Sequence, residues 1–202
     1  MVWIVVTAVA LAVIAYFYSQ SDKPDLSVLP ETFVVFDLET TGLKPEVDEI
    51  IEIGAIRVNR DSKEHDTFQA LIRPSKSIPD KIVKITGITQ KMVDDDGGSL
   101  AEELPQFLDF IGDLRLVSFN AKFDMAFLDN AIDQIEPGRA ISNPVSCALK
   151  MARRAWPGRD SYRLADLAQD GGLEAQTHRA LDDCKQALII YTAAAANLGS
   201  AS

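Results

Sequence analysis

Hydrophobic positions along this chain predict a first half that is rich in strands. Residues 33–36 are all apolar, which indicates a central strand that is covered on both faces. Residues 49–59 and 65–73 are expected to form two more strands, since apolar positions recur in both and only short turns separate the three stretches. Connections as short as these favour an antiparallel meander.

The second half of the chain predicts helices between shorter strands. Apolar residues recur at helical spacing over 100–111, directly after the potential cap Ser99. The other expected elements are a short helix over 78–85, a loop over 94–98, a strand over 114–119, a helix capped by Asn120, a strand over 144–147, a helix to about Trp156, a short helix capped by Ser161 and ending at Gly171, and a last helix from about Thr177. An α/β fold with one central mixed sheet accounts for this order.

The first 18 residues differ from the rest because they carry no charged side chain. Their length is near the lower limit for crossing a bilayer, and Trp3, Tyr16 and Tyr18 stand where interfacial aromatic residues are expected. A cleaved signal peptide is the alternative, but no Lys or Arg precedes the apolar run and bulky residues occupy its end.

This comparison favours an N-terminal transmembrane helix over residues 1–18, which would bind the chain to a membrane. A linker over 19–30 and one folded domain over 31–202 are expected to follow. The nearest basic residue is Lys23, so the positive-inside tendency places the domain in the cytoplasm.

The composition limits the function classes. The formal net charge of −10 over 202 residues excludes a simple electrostatic clamp for nucleic acid, which needs a basic surface. It predicts weak unaided affinity for nucleic acid and favours a basic protein partner. Cys147 and Cys184 are far apart in sequence and are expected to be buried thiols rather than a disulfide.

Two acids end the first predicted strand. Asp37 and Glu39 are two residues apart, so on a strand their side chains point to the same face. Two like charges beside an apolar core destabilise the fold unless a partner compensates them, and Mg²⁺ or Mn²⁺ prefers such oxygen ligands. Two solvated residues at the start of a loop are the alternative, and the pair alone does not decide between these interpretations.

Helical spacing separates buried acids from solvated ones. Asp124 has Phe127, Leu128 and Ala131 three, four and seven residues later, so it is expected on the inward face of its helix. Asp129 and Asp133 fall on a more polar side and are interpreted as solvated charges.

The same test applies to the last helix. Asp183 has Ala180, Ala187 and Ile190 at helical spacing, whereas Asp182 is surrounded by polar residues. Asp183 is therefore the inward acid. His178 precedes it at the predicted helix start, where its ring can be aimed independently of the helical phase.

Four acids and one histidine thus form a candidate site. Asp37, Glu39, Asp124 and Asp183 could hold two divalent cations for in-line phosphoryl chemistry. His178 is the best general base, because imidazole titrates at about 6.5, close to neutral pH. A cap or surface histidine is the alternative interpretation, and His65 has no comparable surroundings.

Three stretches together resemble the motifs of the DEDDh 3′–5′ exonucleases, which include the proofreading subunit of bacterial replicative DNA polymerase. The stretches are Phe36-Asp37-Leu38-Glu39-Thr40-Thr41-Gly42-Leu43, Ser118-Phe119-Asn120-Ala121-Lys122-Phe123-Asp124, and His178-Arg179-Ala180-Leu181-Asp182-Asp183. The resemblance extends over about 33–195, and residues 85–89 resemble the loop between the first two motifs. The three motifs in this order and spacing are far more specific than any one of them.

The resemblance implies a ribonuclease-H-like fold with a five-stranded mixed sheet. It implies that Asp37 bridges two Mg²⁺ or Mn²⁺ ions, that Glu39 and Asp183 complete one site, and that Asp124 holds the second ion through water. His178 would activate the attacking water. Contacts to the terminal nucleotide are implied for Thr40, Leu43, Thr86, Ile88 and Asn120.

The activity implied is hydrolysis of terminal phosphodiesters at single-stranded or frayed 3′ ends of DNA, with release of nucleoside 5′-monophosphates. An exoribonuclease is the second hypothesis, and a non-catalytic membrane-tethered adaptor is the third. A polymerase is an expected partner. Phe119 stands where many relatives have histidine and Ser146-Cys147 replaces a common Asp-Thr pair, and neither change removes an implied metal ligand.

Overall fold

The computed structural model describes residues 26–173 and 175–200. The strands within these residues are β1 (Thr32–Thr40), β2 (Ile50–Asn59), β3 (Asp66–Leu71), β4 (Arg115–Ser118) and β5 (Val145–Cys147). The helices are α1 (Asp80–Thr86), α2 (Gln90–Asp96), α3 (Leu100–Ile111), α4 (Ala121–Ile135), α5 (Ala148–Ala155), α6 (Leu164–Asp170) and α7 (Ala180–Ser200).

The five strands form one mixed sheet in the order β3-β2-β1-β4-β5. The strands β1, β2 and β3 form the predicted antiparallel meander, whereas β4 and β5 run parallel to β1. Helices connect the parallel strands, as parallel pairing requires. The predicted α/β fold with a five-stranded mixed sheet is confirmed.

Each face of the sheet has its own core. Val34, Phe36 and Leu38 of β1 pack with apolar residues of α3 and α4. Phe33 and Val35, on the opposite face, pack with α7. Because side chains alternate along a strand, Asp37 and Glu39 continue the row that faces α7.

Leu29 joins the second of these cores. It is buried in the cluster that contains Phe33 and Tyr191, and its carbonyl accepts a hydrogen bond from Arg60 at 3.1 Å. The end of the predicted linker therefore packs with the domain, because Leu29 gains apolar contacts there.

Several helix boundaries differ from the sequence prediction. The loop expected over 94–98 is wrong in its first half, since Asp94, Asp95 and Asp96 end helix α2. Three acids at a helix C-terminus oppose the helix dipole, so the local sequence resembles a loop. Thr89 caps this helix by accepting a hydrogen bond from the Met92 amide, and Val93 anchors it in the core.

Of two further predicted caps, Asn120 is the N-cap residue of α4, whereas Ser161 is not the N-cap residue of α6. The side chain of Asn120 makes no capping hydrogen bond, although its carbonyl accepts from the Phe123 amide at 2.7 Å. Helix α6 begins at Leu164 after Arg163, and Ser161 instead donates to the Asp166 carboxylate. The last helix begins at Ala180 and not at Thr177.

In the part of the chain from residue 26 onwards that the structure describes, no helix has the length and apolarity to cross a membrane. The anchor predicted over 1–18 lies outside the described residues and stays a prediction. The two cysteines are free, as expected, and Cys184 is buried.

Candidate functional site

The candidate site lies at the carboxyl end of β1, where three segments meet. Strand β4 is parallel to β1, so the helix α4 that follows β4 begins at this same end of the sheet. The first turn of α4 carries Asp124, which is buried as its helical spacing predicted. The start of α7 supplies Asp183, which is also buried.

A glycine lets α7 approach the sheet closely enough to join the site. Gly54 of β2 lies directly opposite Asp37 in the strand register. A Cβ atom on Gly54 would lie 2.5 Å from the backbone of both Ala180 and Leu181. The first turn of α7 therefore packs directly on the backbone of Gly54, and that contact sets the distance between Asp183 and β1.

The structure brings Glu39, His178 and Asp183 together. One potential ligand atom from each of these residues lies within 4.8 Å of the others. Glu39 comes from β1, His178 from the segment before α7 and Asp183 from α7 itself. Among the described residues, this compact group does not include Asp37 or Asp124.

Asp37 and Asp124 are nevertheless close enough to act on the group electrostatically. Burial raises the pKa of Asp37 well above its usual range, and the negative charges of Asp124, Asp183 and Glu39 add to that effect. Burial together with Asp183 and other acids raises the pKa of Glu39 to about 8. These shifts indicate negative charge that the surrounding residues do not neutralise.

Hydrogen bonds stabilise the ionised forms of the two helical acids only in part. Burial raises the pKa of Asp124 to about 7, although Ser118 donates a hydrogen bond to this carboxylate. Burial also raises the pKa of Asp183, and the hydrogen bond from Gln176 at 2.5 Å opposes that shift. Neither hydrogen bond was predicted from the sequence, although Ser118 begins the second motif stretch.

The residues present fit a divalent cation. Within the described residues, Asp183 Oδ1 is buried and has no hydrogen-bond partner. A buried carboxylate oxygen of this kind requires compensation, and a cation would supply it. Hard carboxylate oxygens are the ligands that Mg²⁺ and Mn²⁺ prefer, so the donor set also agrees.

The backbone of His178 has an unusual conformation. Its φ angle is 51°, in the left-handed region that residues other than glycine rarely adopt. The residue lies two positions before α7, so helical periodicity does not fix the direction of its side chain. Such a conformation has to be held by its surroundings.

Glu52, which was not predicted as a site residue from the sequence, is fully buried on β2. It lies directly opposite Glu39 in the register and faces α7. Arg179 donates three hydrogen bonds of 2.6 to 3.2 Å to its carboxylate, and the Ala180 amide donates another at 2.9 Å. An acid within the apolar run from Ile50 to Ile56 is a signal that the same burial test, applied to strands, would have found.

The predicted nucleotide-contacting residues differ in exposure. Leu43 is 80% exposed, on a turn that the hydrogen bond from the Lys44 amide to Asp48 closes. Thr40 and Thr86 are buried, and their hydroxyl groups donate to the carbonyls of Gly42 and Ile82.

Ile88 and Asn120 lie at opposite extremes of exposure. Asn120 is exposed at the start of α4. Ile88 is fully buried with Ile51, Ile78 and Val93. Its contact with a base stays a prediction that requires this side chain to leave its cluster.

The solvated acids lie where helical spacing placed them. Asp129 and Asp133 are exposed on α4. Asp182 pairs with Lys185 at 2.7 Å and accepts a hydrogen bond from Thr177. His65 lies in the turn before β3, outside the group formed by Glu39, His178 and Asp183.

Comparison with solved structures shows the same fold. Escherichia coli exonuclease I in complex with a dA16 oligonucleotide matches with a TM-score of 0.66 at 23% identity, over 79% of this chain and 39% of that one. The product-bound structure of exonuclease I matches with a TM-score of 0.68 at 22% identity, over 80% of this chain and 42% of that one. At these identities the likeness concerns the fold alone.

Sequence comparison identifies relatives. The chain is 38% identical over 158 residues to DNA polymerase III subunit epsilon of Aquifex aeolicus, which covers 78% of this chain and 77% of that protein. It is 37% identical over 156 residues to the PolC-type DNA polymerase III of Clostridium perfringens, but spans only 10% of that protein's length. The family model described as Exonuclease matches residues 34–191, which confirms the resemblance of the three motifs, and the chain therefore belongs to the Exonuclease family.

Proposed function

We propose that this protein is a metal-dependent 3′–5′ exonuclease that hydrolyses the terminal phosphodiester of DNA and releases nucleoside 5′-monophosphates. The observation that carries this proposal is the convergence of Glu39, His178 and Asp183 within 4.8 Å at the end of β1. Epsilon and PolC relatives, both DNA polymerase III proteins by name, support DNA over RNA as the substrate.

Two divalent cations, Mg²⁺ or Mn²⁺, complete the proposed site. Asp37, Glu39, Asp124 and Asp183 would hold them, and the raised pKa values of these acids support a site where a cation would stabilise the ionised carboxylates. When bound, the cations supply positive charge that stabilises the transition state of phosphoryl transfer.

His178 acts as the general base in this proposal. Its imidazole takes a proton from a water molecule as the water oxygen forms a bond to the terminal phosphorus. The bond between that phosphorus and the 3′ oxygen of the penultimate nucleotide breaks, and the 3′ oxygen then takes a proton from solvent. His178 lies beside Asp183 and Glu39, so its imidazole is next to two of the proposed metal ligands.

A basic surface supports contact with a nucleic-acid strand despite the net charge of −10. Residues 137–159 contain no Asp or Glu, and Lys150, Arg153 and Arg154 are exposed on α5. None of these three has an ion-pair partner among the described residues. Helix α5 begins where β5 ends, and β5 runs parallel to β4 and β1, so α5 starts at the same end of the sheet as Asp37. Positive charge near this end of the sheet favours binding of a phosphate backbone.

The first test is hydrolysis of matched single-stranded DNA and RNA labelled at the 5′ end, with Mg²⁺ or Mn²⁺ and with EDTA as a control. We expect products that shorten stepwise from the 3′ end, faster with DNA, and no products from the Asp37→Ala variant. Faster cleavage of RNA would favour the exoribonuclease. A folded protein that binds Mn²⁺ but cleaves neither substrate would contradict the proposed activity.

A DNA polymerase is the proposed partner, because both named relatives are polymerase III proteins. The match to the PolC-type relative spans only 10% of its length. Co-purification of the full chain with a polymerase from its own host tests this proposal, and recovery of the chain without any polymerase would contradict it.

A further inference from the structure

The carboxylate of Glu52 is the most enclosed charge beside the site. Its side chain is 0% exposed, whereas the side chain of its partner Arg179 is 32% exposed. Besides Arg179 and the Ala180 amide, Gln69 donates a hydrogen bond to Oε1 at 2.9 Å. The carboxylate is thus fully hydrogen-bonded, and its contacts converge on two consecutive residues of another element.

These two residues are the start of α7. The carbonyl of Arg179 accepts hydrogen bonds from the amides of Asp182 and Asp183 at 2.9 and 3.0 Å, so Arg179 is the N-cap residue. The Ala180 amide is one of the donors that a helix leaves unpaired at its N-terminus. Glu52 therefore holds the side chain of the cap and the first amide of the helix together, and its negative charge complements the helix dipole.

His178 immediately precedes the residue that Glu52 holds. The two residues before His178 are also held by hydrogen bonds: Gln176 donates to Asp183 at 2.5 Å and Thr177 donates to Asp182 at 3.1 Å. The left-handed φ of 51° at His178 is thus fixed between two tethered segments. Strain of this kind persists only where the surroundings determine the conformation.

We propose that Glu52 and Arg179 are positioning residues that hold His178 in reach of the reacting water. This inference rests on the proposed function, in which His178 is the general base. The ion pair anchors the backbone on the carboxyl side of His178 to β2, two residues along the chain from Gly54, on which α7 packs. The imidazole direction then follows from a fixed backbone, not from helical phase.

Stability alone does not account for the pair. Replacing a buried ion pair with apolar residues is often neutral or stabilising, because desolvation offsets the attraction between the charges. The Glu52–Arg179 pair also places a second acid directly beside Glu39. A role in orienting the backbone next to His178 explains why both charges occur at this position.

The test compares Glu52→Gln and Arg179→Lys with the unchanged full chain on single-stranded DNA at saturating Mg²⁺. We expect kcat to fall about 10- to 100-fold in each, because small displacements of a reacting group have effects of that size. The KM for DNA should remain close to that of the unchanged chain in both variants. Arg179→Lys keeps the positive charge and alters no proposed metal ligand, so its affinity for Mn²⁺ should also remain close to that of the unchanged chain. If Glu52→Gln does not fold, Arg179→Lys carries the test.

The decisive measurement is a double-mutant cycle with His178→Ala. If Glu52 acts through His178, adding Glu52→Gln to His178→Ala lowers kcat no further. Independent, multiplying effects would overturn the positioning proposal. Unchanged kcat in His178→Ala would overturn the general-base role, and this inference would fall with it. If His178→Ala loses turnover but Glu52→Gln has an unchanged kcat, only this inference is overturned.

Two controls separate positioning from general destabilisation. Arg159→Lys alters the ion pair of Arg159 with Asp170, which lies on α6, and should leave kcat unchanged. The chain has two histidines, so ¹⁵N resonances of His65 provide an internal reference for His178. We expect Glu52→Gln to change the His178 ring resonances and to leave those of His65 unchanged, and unchanged resonances for both rings would contradict the proposal.

Discussion

At the scale of single residues, this site is defined by negative charge that the surrounding side chains only partly compensate. Asp37, Glu39, Asp124 and Asp183 all have raised pKa values, with burial as the main cause. Burial disfavours the ionised form of a carboxyl group, and neighbouring acids add to the effect. The fold therefore stores an unfavourable charge arrangement that a divalent cation would relieve.

Replacement of His178 should affect turnover but not the binding of metal or DNA. We expect His178→Ala to retain Mn²⁺ and DNA binding but to lose turnover by about 10²–10⁴-fold, which is the usual contribution of a general base. Steady-state kinetics and Mn²⁺ titration measure the two properties. His65→Ala is the matched control and should retain full activity, and an active His178→Ala enzyme would refute the assignment.

The raised carboxyl pKa values predict an unusual dependence of stability on pH. The pKa of Glu39 rises from 4.5 to about 8 on folding, so between these values the folded protein binds more protons than the unfolded chain. Stability is therefore highest below the unfolded pKa and decreases as pH rises through the folded pKa. In EDTA we expect the melting temperature to fall between about pH 5 and about pH 8, and Mn²⁺ to diminish that fall.

Charge-neutral variants identify the source of this pH dependence. Glu39→Gln should make the decrease shallower in EDTA, whereas Asp133→Asn, at an exposed position on α4, should leave it unchanged. Thermal melts at several pH values measure both slopes. Equal slopes in all three proteins would show that Glu39 is not the source of the pH dependence.

At the scale of secondary-structure elements, the approach of α7 to β2 decides whether the acids meet. Gly54→Ala would place a Cβ atom 2.5 Å from the α7 backbone, so the helix has to move. We expect a loss of about 1–3 kcal/mol in stability from overpacking. We also expect kcat to fall at least about tenfold, because His178 and Asp183 move with the helix.

Gly138→Ala is the control for this prediction. Gly138 has a φ of 88° and no atom within 4 Å of its added Cβ, so substitution strains the backbone without moving α7. It should lower the melting temperature but leave kcat unchanged. Equal kcat values for Gly54→Ala and the unchanged protein would show that the helix position is not critical.

The basic surface on α5 leads us to expect that the affinity for DNA depends on salt concentration. Arg154→Glu should raise the KM for DNA and reduce the slope of log affinity against log salt concentration by about one phosphate contact. Lys63→Glu makes the same charge change at the turn between β2 and β3, at the opposite end of the sheet, and should have little effect. Fluorescence anisotropy across a salt series compares them, and equal slopes would exclude α5 from the DNA contact.

At the scale of the whole molecule, an anchor over 1–18 stays a prediction, and it would determine where the protein acts. We expect the full-length chain to sediment with membranes and to need detergent for extraction, because its first 18 residues are uncharged. A variant without residues 2–18 should remain in the supernatant. Recovery of uncleaved full-length protein from the soluble fraction without detergent would refute the anchor.

The sequence by itself determined the fold class and the set of candidate residues. Apolar runs identified the strands, because β1 and β2 are buried on both faces. Helical spacing identified Asp124 and Asp183 as buried acids and Asp129 and Asp133 as solvated ones, because position on a helix surface repeats every 3.6 residues. The three motifs led to the family because their residue types and spacing are specific together.

Only the tertiary structure decided how these residues meet. The local sequence did not predict helix α2, because this helix has a single buried residue, Val93. The helix is stabilised by contacts of Val93 with residues that are distant in sequence. Glu52 and Arg179 are 127 residues apart, and no local pattern pairs them. The close approach at Gly54 and the left-handed backbone of His178 likewise arise from packing between α7 and β2, and they place the imidazole beside Glu39 and Asp183.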